Sequence, residues 1–510
     1  MEPKVREELL TFLARLTSEG DLLATPPGAS IQSIVRGEDD DGVGVPSTGK
    51  LIVTRDTLIN ASLIAAWLRR GEPLLLVGPE GCGKSVLLEQ CFSELRGTTT
   101  ATVNCSAQTT AENAIQKLSQ MCGKPVSTNT GRVLRPRDSD RLILYLKDIN
   151  LPRPDKYKTI QLISFLQQII TYNGFYDEHL EFIGLERIQV VASMNPTSTV
   201  GRHPISTRFT AIARCAYMTY PDRDQLVQVY SQMLHTALVE AAENNPMWSN
   251  EASCTKLANT MLDIYDGVKR SFRPDDYRHY QFTPRNLTEW VQGLQRLAMG
   301  VEVLDGFAYE ASRIFRDRLV GEEAISTYDG IVRQAMAVQW QWSGPSGGEA
   351  TLLSTLGASV EERLDSKSPP PALAQWKLED FAELAAGKLK QFERESKDLG
   401  LLLFPEVLQR IAALDRVLSL PGGSVLLCGR AGVGRRSATS LVSYIHHMDM
   451  FSPCLTRNYD VKAFRNDLKN VMIKTGGENT PMLLFLEDHH ISDSTFLEYV
   501  NSLLSGGEVP

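Results

Sequence analysis

The chain has 510 residues, of which 42% are hydrophobic and 22% charged. This length and composition predict two to four domains with buried cores. The formal net charge of −8 argues against a basic face for nucleic acid or an anionic membrane. No apolar run reaches the roughly 20 residues that span a bilayer. The eight cysteines include no CxxC pair, which predicts a cytosolic protein without a disulfide framework. The charge and the apolar runs predict no nucleic-acid binding and no membrane insertion.

The first part of the chain separates into an N-terminal helix with a linker and an α/β unit. Residues 1–45 predict a helix from Val5 to Leu16, then a linker whose acidic run at 38–41 reads as a solvated turn. Residues 46–220 alternate amphipathic segments with short apolar runs at 74–77, 102–104, 142–146 and 188–192. Such runs are typical of a buried parallel sheet with helices on both faces.

The pattern changes to helices at about residue 221. Residues 221–343 predict a helical subdomain, in which Thr283 and Pro284 begin a helix that runs to Leu297 and stops near Gly300. Residues 344–399 read as a linker with a helix, the part from Gly344 to Pro371 being rich in Gly, Ser and Pro. Residues 400–510 restart the α/β pattern with strands at 424–428 and 483–486, and we expect this second unit to be truncated.

A glycine-rich turn follows the apolar run at 74–77 and precedes a helical run. It fits the pattern GxxxxGK[ST] in the strand-to-helix context that makes this motif specific. Its backbone N–H groups and helix N-terminus favour an anion, Lys84 can reach the β- and γ-phosphates, and Ser85 can ligate Mg²⁺. The Cys82 side chain is expected either to face solvent or to pack against neighbouring residues, and not to take part in chemistry. The predicted phosphate loop is Gly78, Pro79, Glu80, Gly81, Cys82, Gly83, Lys84 and Ser85.

Phosphoryl transfer also needs an acid for the metal and a base for water. The run at 142–146 ends in Lys147 and Asp148, a single carboxylate where a hydrolase usually has two. Either Lys147 takes the metal-side position, where it repels Mg²⁺ and Asp148 acts as a shortened base, or Asp148 is the metal-side acid without a following base. Both interpretations predict slow hydrolysis. The alternative is that Lys147 and Asp148 only end a strand and take no part in catalysis.

Three polar residues are candidates for sensing or stabilising the γ-phosphate. Asn195 follows the strand at 188–192, and Arg208 is a candidate arginine finger directed at a neighbouring module. Arg285 lies near the start of the helix that begins at Pro284, from which it could reach back to the phosphates. For both arginines the alternative is a surface residue, and His203 is interpreted as a turn or surface histidine.

These residues together resemble the AAA+ ring of the dynein heavy chain family. The resemblance covers about 46–342 and 400–510 and points to the third module and the first part of the fourth. Lys147 and the run at 429–437 are most similar to the cytoplasmic dynein-2 branch. The matching stretches lie at 78–85, 103–110, 147–152, 155–157, 174–176, 192–209, 282–285 and 314–320.

The resemblance implies ATP or ADP with Mg²⁺ as ligands, and a retrograde motor of intraflagellar transport. It implies nucleotide contacts for Lys84, Ser85, Asn195 and Arg285, a finger role for Arg208 toward the preceding module, and a place beside the adenine for 53–57, which includes Asp56 and Thr57. Implied partners are other AAA+ modules, intermediate and light chains, and microtubules contacted outside this chain. The implied location is the cytoplasm, the cytoskeleton and the ciliary or flagellar axoneme.

A second glycine-rich turn departs from the pattern. Arg435 replaces the lysine and Arg436 replaces the metal-binding Ser or Thr, although Arg435 could still bind phosphate. Glu487 and Asp488 retain a carboxylate pair, and the adjacent His489 and His490 are interpreted as solvent-facing. The candidate phosphate contacts are Gly429, Gly432, Gly434 and Arg435.

Three functions remain open from the sequence. The first is a motor ATPase segment in which nucleotide binding regulates a mechanical ring. The second is a nucleotide-locked scaffold with negligible turnover. The third is another AAA+ machine that remodels proteins.

Overall fold

A computed structural model describes residues 52, 54–128, 131–177, 179–239, 245–298, 300–344, 352–356, 371–396, 398–430, 432–455, 459–491 and 493–507. The helix predicted from Val5 to Leu16 and the acidic turn at 38–41 lie outside the described residues. None of the described helices combines the length and the apolar character needed to cross a membrane.

The first unit is built on a five-stranded parallel sheet. The apolar runs predicted four of these strands, and the strand at 214–217 was not predicted. Nine strands occur here: β1 Leu74–Val77, β2 Thr98–Asn104, β3 Val126–Thr128, β4 Gly131–Leu134, β5 Arg141–Lys147, β6 Gly174–Tyr176, β7 Phe182–Leu185, β8 Ile188–Met194 and β9 Arg214–Tyr217. The main sheet has the order β2-β5-β8-β1-β9 with every neighbouring pair parallel. The carboxyl ends of β1, β5 and β8 therefore meet at one edge, where ligands bind in open α/β sheets.

Both faces of this sheet are covered. Along β5, Leu144 and Leu146 pack into one hydrophobic cluster, whereas Ile143 and Tyr145 pack into a cluster on the opposite face. All four side chains are fully buried. Because alternate residues of a strand point to opposite faces, burial of both sets explains why this strand is wholly apolar.

Five helices accompany the strands: α1 Arg55–Arg70, α2 Lys84–Ser93, α3 Ala111–Cys122, α4 Gln161–Tyr172 and α5 Thr207–Ile212. α1 begins at Thr54, whose side chain and that of Thr57 cap one another's backbone N–H groups. It ends at Gly71, which has a φ of 72°. A residue without a Cβ adopts this left-handed conformation at little cost.

A second, smaller sheet was not anticipated from the sequence. It has four strands in the order β3-β4-β7-β6, with β4 and β7 parallel and the outer pairs antiparallel. Its strands have three or four residues each. Segments this short carry too few positions to show a hydrophobic period.

The helical subdomain that follows contains α6 Arg223–Ala237, α7 Glu251–Ser271, α8 Pro284–Leu294, α9 Val303–Ile314 and α10 Glu322–Trp340, with 3-10 turns at Pro246–Ser249 and Arg316–Arg318. Thr283 caps α8 and Pro284 occupies its first turn, as predicted. The helix ends at Leu294 instead of Leu297, because Leu297 leaves it to form a β-bridge with Leu373. Trp290, Phe307 and Phe315 are completely buried at the centre of this subdomain.

The segment predicted as a linker contains a strand. β10, Leu352–Ser354, is buried and pairs antiparallel with β11, Ala374–Trp376. The helix expected after it is α11, Leu378–Glu395. The prediction of an unstructured Gly-, Ser- and Pro-rich linker is therefore wrong for 352–354, where the apolar residues pack against the second unit.

The second unit contains α12 Pro405–Leu418, α13 Arg435–Ile445, β12 Asp449–Phe451, α14 Val461–Gly477, β13 Met482–Leu484 and α15 Ser494–Gly506, with a 3-10 turn at Asp488–His490. β12 and β13 are parallel. The strand predicted at 424–428 does not form, and Leu426 is 89% exposed. Among the residues the structure describes, this segment has no neighbouring strand, and an unpaired strand is not stable alone.

Candidate nucleotide-binding site

The first glycine-rich turn adopts the backbone that a phosphate loop requires. It joins the end of β1 to the start of α2 at Lys84. Gly81 and Gly83 have φ angles of 73° and 92°, so both positions need glycine. A Cβ on Gly81 would lie 2.7 Å from Thr283 Oγ1. The loop is therefore in close contact with the start of α8, which brings the helical subdomain against the site.

Lys84 is folded inward across this loop. Its Nζ donates to the carbonyl oxygens of Gly78 and Pro79 and to Asn195 Oδ1, each at 2.8 Å. Burial lowers the pKa of Lys84. The nearby Cys82, Asp148 and Glu80 oppose this shift, because they favour the charged form of the lysine. The ammonium is thus held among oxygen acceptors that phosphate oxygens can replace.

The ends of β5 and β8 are joined by a chain of hydrogen bonds. The buried Asn150 donates through Nδ2 to the carbonyl oxygen of Asn195 at 2.8 Å. The backbone N–H of His203 donates to the carbonyl oxygen of Asn150 at 2.9 Å. Asn195 is therefore fixed beside Lys84, as expected of a residue that contacts a terminal phosphate. His203 itself is half-buried in an irregular segment between β8 and α5.

The last residue of β5 and the residue after it differ in their surroundings. Lys147 Nζ lies 3.0 Å from Glu89 Oε1 on α2 and stacks over the Tyr145 ring. Asp148 has a φ of 59°, a left-handed conformation that is uncommon outside glycine. Its Oδ1 lies 3.5 Å from Arg202 Nη1. The positive charge of Lys147 is thus already paired within the chain, and Asp148 is the carboxylate that faces Lys84 and Arg202.

Ser85 lies at the start of α2, where Tyr145 Oη donates to its Oγ at 3.4 Å. The oxygen ligands predicted for a metal at this site are Ser85 and Asp148. Mg²⁺ is commonly bound through one or two protein oxygens while phosphates and water fill its other positions. Ser85 and Asp148 fit Mg²⁺ on that basis. Because Lys147 stands beside Asp148, the site carries less negative charge than one with two adjacent carboxylates.

Cys82 packs within the loop, one of the two orientations that the sequence left open. It is 7% exposed and belongs to the core cluster that includes Leu87 and Leu88. Burial raises the pKa of its thiol. A buried, protonated thiol is a packing group and not a nucleophile.

Other predicted residues lie further out. Arg208 is exposed on α5, a position open to a neighbouring module. Arg285 is 78% exposed and paired with Glu289 at 3.2 Å. Asp56 accepts from Gln225 Nε2 at 3.0 Å, which links α1 to the helical subdomain. Thr57 belongs to the α1 cap. The structure does not bring these four side chains together with Lys84.

The second glycine-rich turn keeps the backbone of the first. Gly432 and Gly434 have φ angles of 85° and 76°, and α13 starts at Arg435 as α2 starts at Lys84. Arg435 Nη1 donates to the carbonyl oxygen of Leu427 at 3.2 Å. Gly429 opens this turn, at the same spacing as Gly78 in the first. Arginine therefore folds back onto the turn as Lys84 does.

Arg436 takes the place of the metal-binding hydroxyl. Its Nη1 lies 3.1 Å from Glu487 Oε2, so a guanidinium is paired with the first carboxylate of the predicted pair. The expectation that both histidines face solvent is wrong for His490, which is 4% exposed and accepts from the Glu487 N–H through Nδ1 at 3.0 Å. Glu487, His489 and His490 could together hold a metal, but Arg436 already neutralises the glutamate.

Four residues of this region had no predicted role at the nucleotide site. They are Thr283, which lies close to Gly81; Tyr145, which donates to Ser85; Asn150, which donates to Asn195; and Arg202, which pairs with Asp148. Asn150 could have been suspected, since a polar residue directly after a buried strand lies at the ligand-binding edge. The others depend on side-chain directions that periodicity does not report.

The sheet order, the loop and the helical subdomain define a P-loop nucleotide-binding module of the AAA+ class. Residues 44–221 match the P-loop containing dynein motor region, residues 226–325 the dynein heavy chain ATPase lid domain, and residues 399–510 the P-loop containing dynein motor region D4. The chain belongs to the dynein heavy chain family, and the expected resemblance is confirmed.

Similar proteins agree with this assignment. The chain is 47% identical over its whole length to cytoplasmic dynein 2 heavy chain 1 of Chlamydomonas reinhardtii, and 45% identical over 90% of its length to the Homo sapiens protein of that name. It is 31% identical over 91% of its length to the cytoplasmic dynein heavy chain of Caenorhabditis elegans. The chain spans 12%, 11% and 10% of these three relatives, respectively.

Proposed function

We propose that the first module binds ATP and ADP at the loop of residues 78–85. The observation that carries this proposal is Lys84, whose ammonium is held 2.8 Å from three oxygen acceptors inside a loop with two left-handed glycines. On binding, Lys84 exchanges carbonyl partners for β- and γ-phosphate oxygens, and the N–H groups at the start of α2 bind the same anion. Asn195 contacts the terminal phosphate or orients water.

Mg²⁺ supplies charge neutralisation on the phosphates, and Ser85 and Asp148 are the residues that would hold it. Turnover is proposed to be slow, so nucleotide occupancy has a regulatory role. Lys147 stands where a carboxylate usually follows this strand, and its pairing with Glu89 adds no acid or base to the site. Asp148 alone must then serve as metal ligand or as base.

We further propose that the chain acts in a dynein motor heavy chain that moves along microtubules in retrograde ciliary transport. This rests on its similarity to cytoplasmic dynein 2 heavy chains. Arg208 is proposed to reach the nucleotide of the preceding module, because it is exposed on α5. The proposed partners are other AAA+ modules, intermediate and light chains, and microtubules, in the cytoplasm, cytoskeleton and cilium.

For the second module a scaffold role is the leading alternative to nucleotide binding. Arg436 is paired with Glu487 at the position where a hydroxyl and a carboxylate would hold Mg²⁺. A cation fixed there by the chain competes with the metal. The second module is therefore proposed to bind nucleotide weakly or to serve the ring as structure, with Arg435 as its phosphate contact.

Nucleotide binding is tested by titrating fluorescent ADP and ATP analogues against the 510-residue chain and its Lys84→Ala variant. Lys124→Ala, an exposed lysine, is the matched control. Lys84→Ala is expected to weaken binding at least tenfold while Lys124→Ala leaves it unchanged. Equal affinity of wild type and Lys84→Ala would eliminate the first site as proposed.

A further inference from the structure

Arg202 is nearly buried, yet much of its guanidinium has no hydrogen-bond acceptor. The side chain is 10% exposed. In the part of the chain that the structure describes, neither Nε nor Nη1 finds a hydrogen-bond partner. Leaving charged donors unsatisfied in a buried position is costly, more so than for neutral groups. Such a group needs an explanation other than packing.

In two arginines that hold this fold together, Nη groups donate to oxygen acceptors, although Nε of Arg296 has no partner among the described residues. Arg141 Nη1 donates to the carbonyl oxygen of Leu68 at 2.8 Å. Arg296 donates to the carbonyl oxygen of Arg416 at 2.8 Å and to Ser419 Oγ at 2.7 Å. Arg202 instead has an ion pair without hydrogen-bond geometry, 3.5 Å from Nη1 to Asp148 Oδ1. These two donors are available to an acceptor that the described residues do not supply.

The backbone of Arg202 is held firmly at the edge of the site. Its N–H donates to the carbonyl oxygen of Thr199 at 3.3 Å, and the N–H of the next residue, His203, donates to the carbonyl oxygen of Asn150. Asn150 in turn binds Asn195, which accepts from Lys84. The segment that carries Arg202 is therefore tied to the residues at the end of the phosphate loop.

Arg202 lies close enough to Lys84 for the two charges to interact. The pKa of Lys84 is lowered by burial first, and the charge of Asp148 raises it while that of Arg202 lowers it. Three charged side chains of alternating sign thus lie within electrostatic reach of one another. Adding the negative γ-phosphate beside Lys84 would supply the acceptor that Arg202 lacks.

We propose that Arg202 binds the γ-phosphate of a nucleoside triphosphate in its own module, exchanging its ion pair with Asp148 for phosphate oxygens. This rests on the proposed nucleotide binding at residues 78–85. A guanidinium forms two parallel hydrogen bonds to phosphate, which suits a group with unsatisfied donors. The first module would then distinguish triphosphate from diphosphate through Arg202, and γ-phosphate binding would release Asp148 for the metal or water.

This role differs from that of Arg208, which is exposed on α5 and is proposed to act on a neighbouring module. Arg202 acts within the chain that carries it, so its effect is measurable without a neighbouring module. A role limited to supporting the loop would affect both nucleotides equally and would lower the melting temperature. Selectivity between the two nucleotides separates these possibilities.

The test compares wild type with Arg202→Gln, using ADP and a non-hydrolysable ATP analogue in isothermal titrations. Arg135→Gln is the matched control, because Arg135 is an exposed arginine paired with Glu186 on the second sheet. We expect Arg202→Gln to weaken the ATP analogue about tenfold, equal to about 1.4 kcal/mol, with the ADP affinity changed less than about threefold. The control should change neither.

Equal losses for the two nucleotides, or no loss, would refute the role of Arg202. Wild type that binds neither nucleotide would instead refute the proposed function. If Arg202→Gln does not fold by circular dichroism, Arg202→Lys replaces it, since it keeps the charge but not the two parallel donors. Arg202→Lys should then weaken the ATP analogue selectively, and unchanged selectivity would overturn the proposal.

Discussion

The ammonium of Lys84 lies 2.8 Å from Asn195 Oδ1, and this hydrogen bond joins the phosphate loop to the end of β8. The two residues are 111 positions apart in the chain, and both are nearly buried. Asn195 thereby orients Lys84 before nucleotide arrives. In the proposed complex with nucleotide, the same amide lies beside the terminal phosphate.

Asn195→Ala should separate binding from chemistry. ADP affinity is expected to change less than about threefold, because Lys84 keeps its charge and the loop keeps the backbone N–H groups that bind the β-phosphate. Hydrolysis is expected to slow about tenfold or more, since an amide beside the terminal phosphate stabilises charge in the transition state. Single-turnover phosphate release measures the rate. Asn259→Ala, on the helical subdomain, is the control, and equal rates in wild type and Asn195→Ala would contradict the role.

Lys147→Asp should raise turnover from its low value. The wild-type chain is expected to release phosphate far below the roughly 10 s⁻¹ median of enzymes. A carboxylate at 147 removes the charge that repels Mg²⁺ and restores a carboxylate pair with Asp148, so we expect roughly a tenfold increase. Steady-state phosphate release measures it. Glu89→Gln, which breaks the same ion pair without adding an acid, is the control and should show no such gain.

The helical subdomain and the second unit are joined by a buried ion pair. Arg416 on α12 donates through Nε to Glu310 Oε1 at 2.8 Å and through Nη2 to Oε2 of the same carboxylate on α9. Glu310 is completely buried. Arg416→Met should destabilise the contact by about 3–5 kcal/mol, because it leaves an unpaired buried carboxylate.

Denaturant unfolding of Arg416→Met and of the double variant Glu310→Leu with Arg416→Met measures this effect. The double variant should regain much of the lost stability, since it buries no unpaired charge. If both unfold at the same denaturant concentration as wild type, the ion pair does not join the two units.

Asp415 should make stability depend on pH in acid. Burial alone would raise the pKa of Asp415, but the hydrogen bond and charge of His446 and the hydrogen bonds of Ser354 and Thr355 bring the pKa below its usual value. The unfolded chain has the ordinary value near 3.9. The stabilisation is therefore complete above about pH 4 and is lost as the pH falls through the lower pKa of the folded state.

Asp415→Asn should cost roughly 2 kcal/mol at pH 7, the scale of a charged hydrogen bond, and should flatten the fall in stability below about pH 4. Thermal melts across pH 2 to 7 measure both effects. Asp398→Asn, at an exposed aspartate, is the control. A wild-type melting curve that falls no faster than that of Asp415→Asn in acid would exclude this contribution.

Local chemistry was sufficient to predict the phosphate loop and four of the five strands of the main sheet, but not β9 at its edge. The spacing of Gly78, Gly81, Gly83 and Lys84 specifies a turn that only glycine adopts freely, and wholly apolar runs specify buried strands. The start of α8 followed from Thr283 and Pro284, because a cap is a local hydrogen-bond arrangement. These features depend on residues within a few positions of one another.

What only the tertiary structure decided depends on partners distant in the chain. The run at 424–428 is apolar, yet it forms no strand, because among the described residues no strand lies beside it. Leu352–Ser354 lies in a segment with linker composition, yet it pairs with Ala374–Trp376. The pairing of Lys147 with Glu89 and of Arg202 with Asp148 follows from how helices and loops approach the sheet edge. Sequence alone determines which groups can bind phosphate, whereas folding determines which of those groups are already paired and which await a ligand.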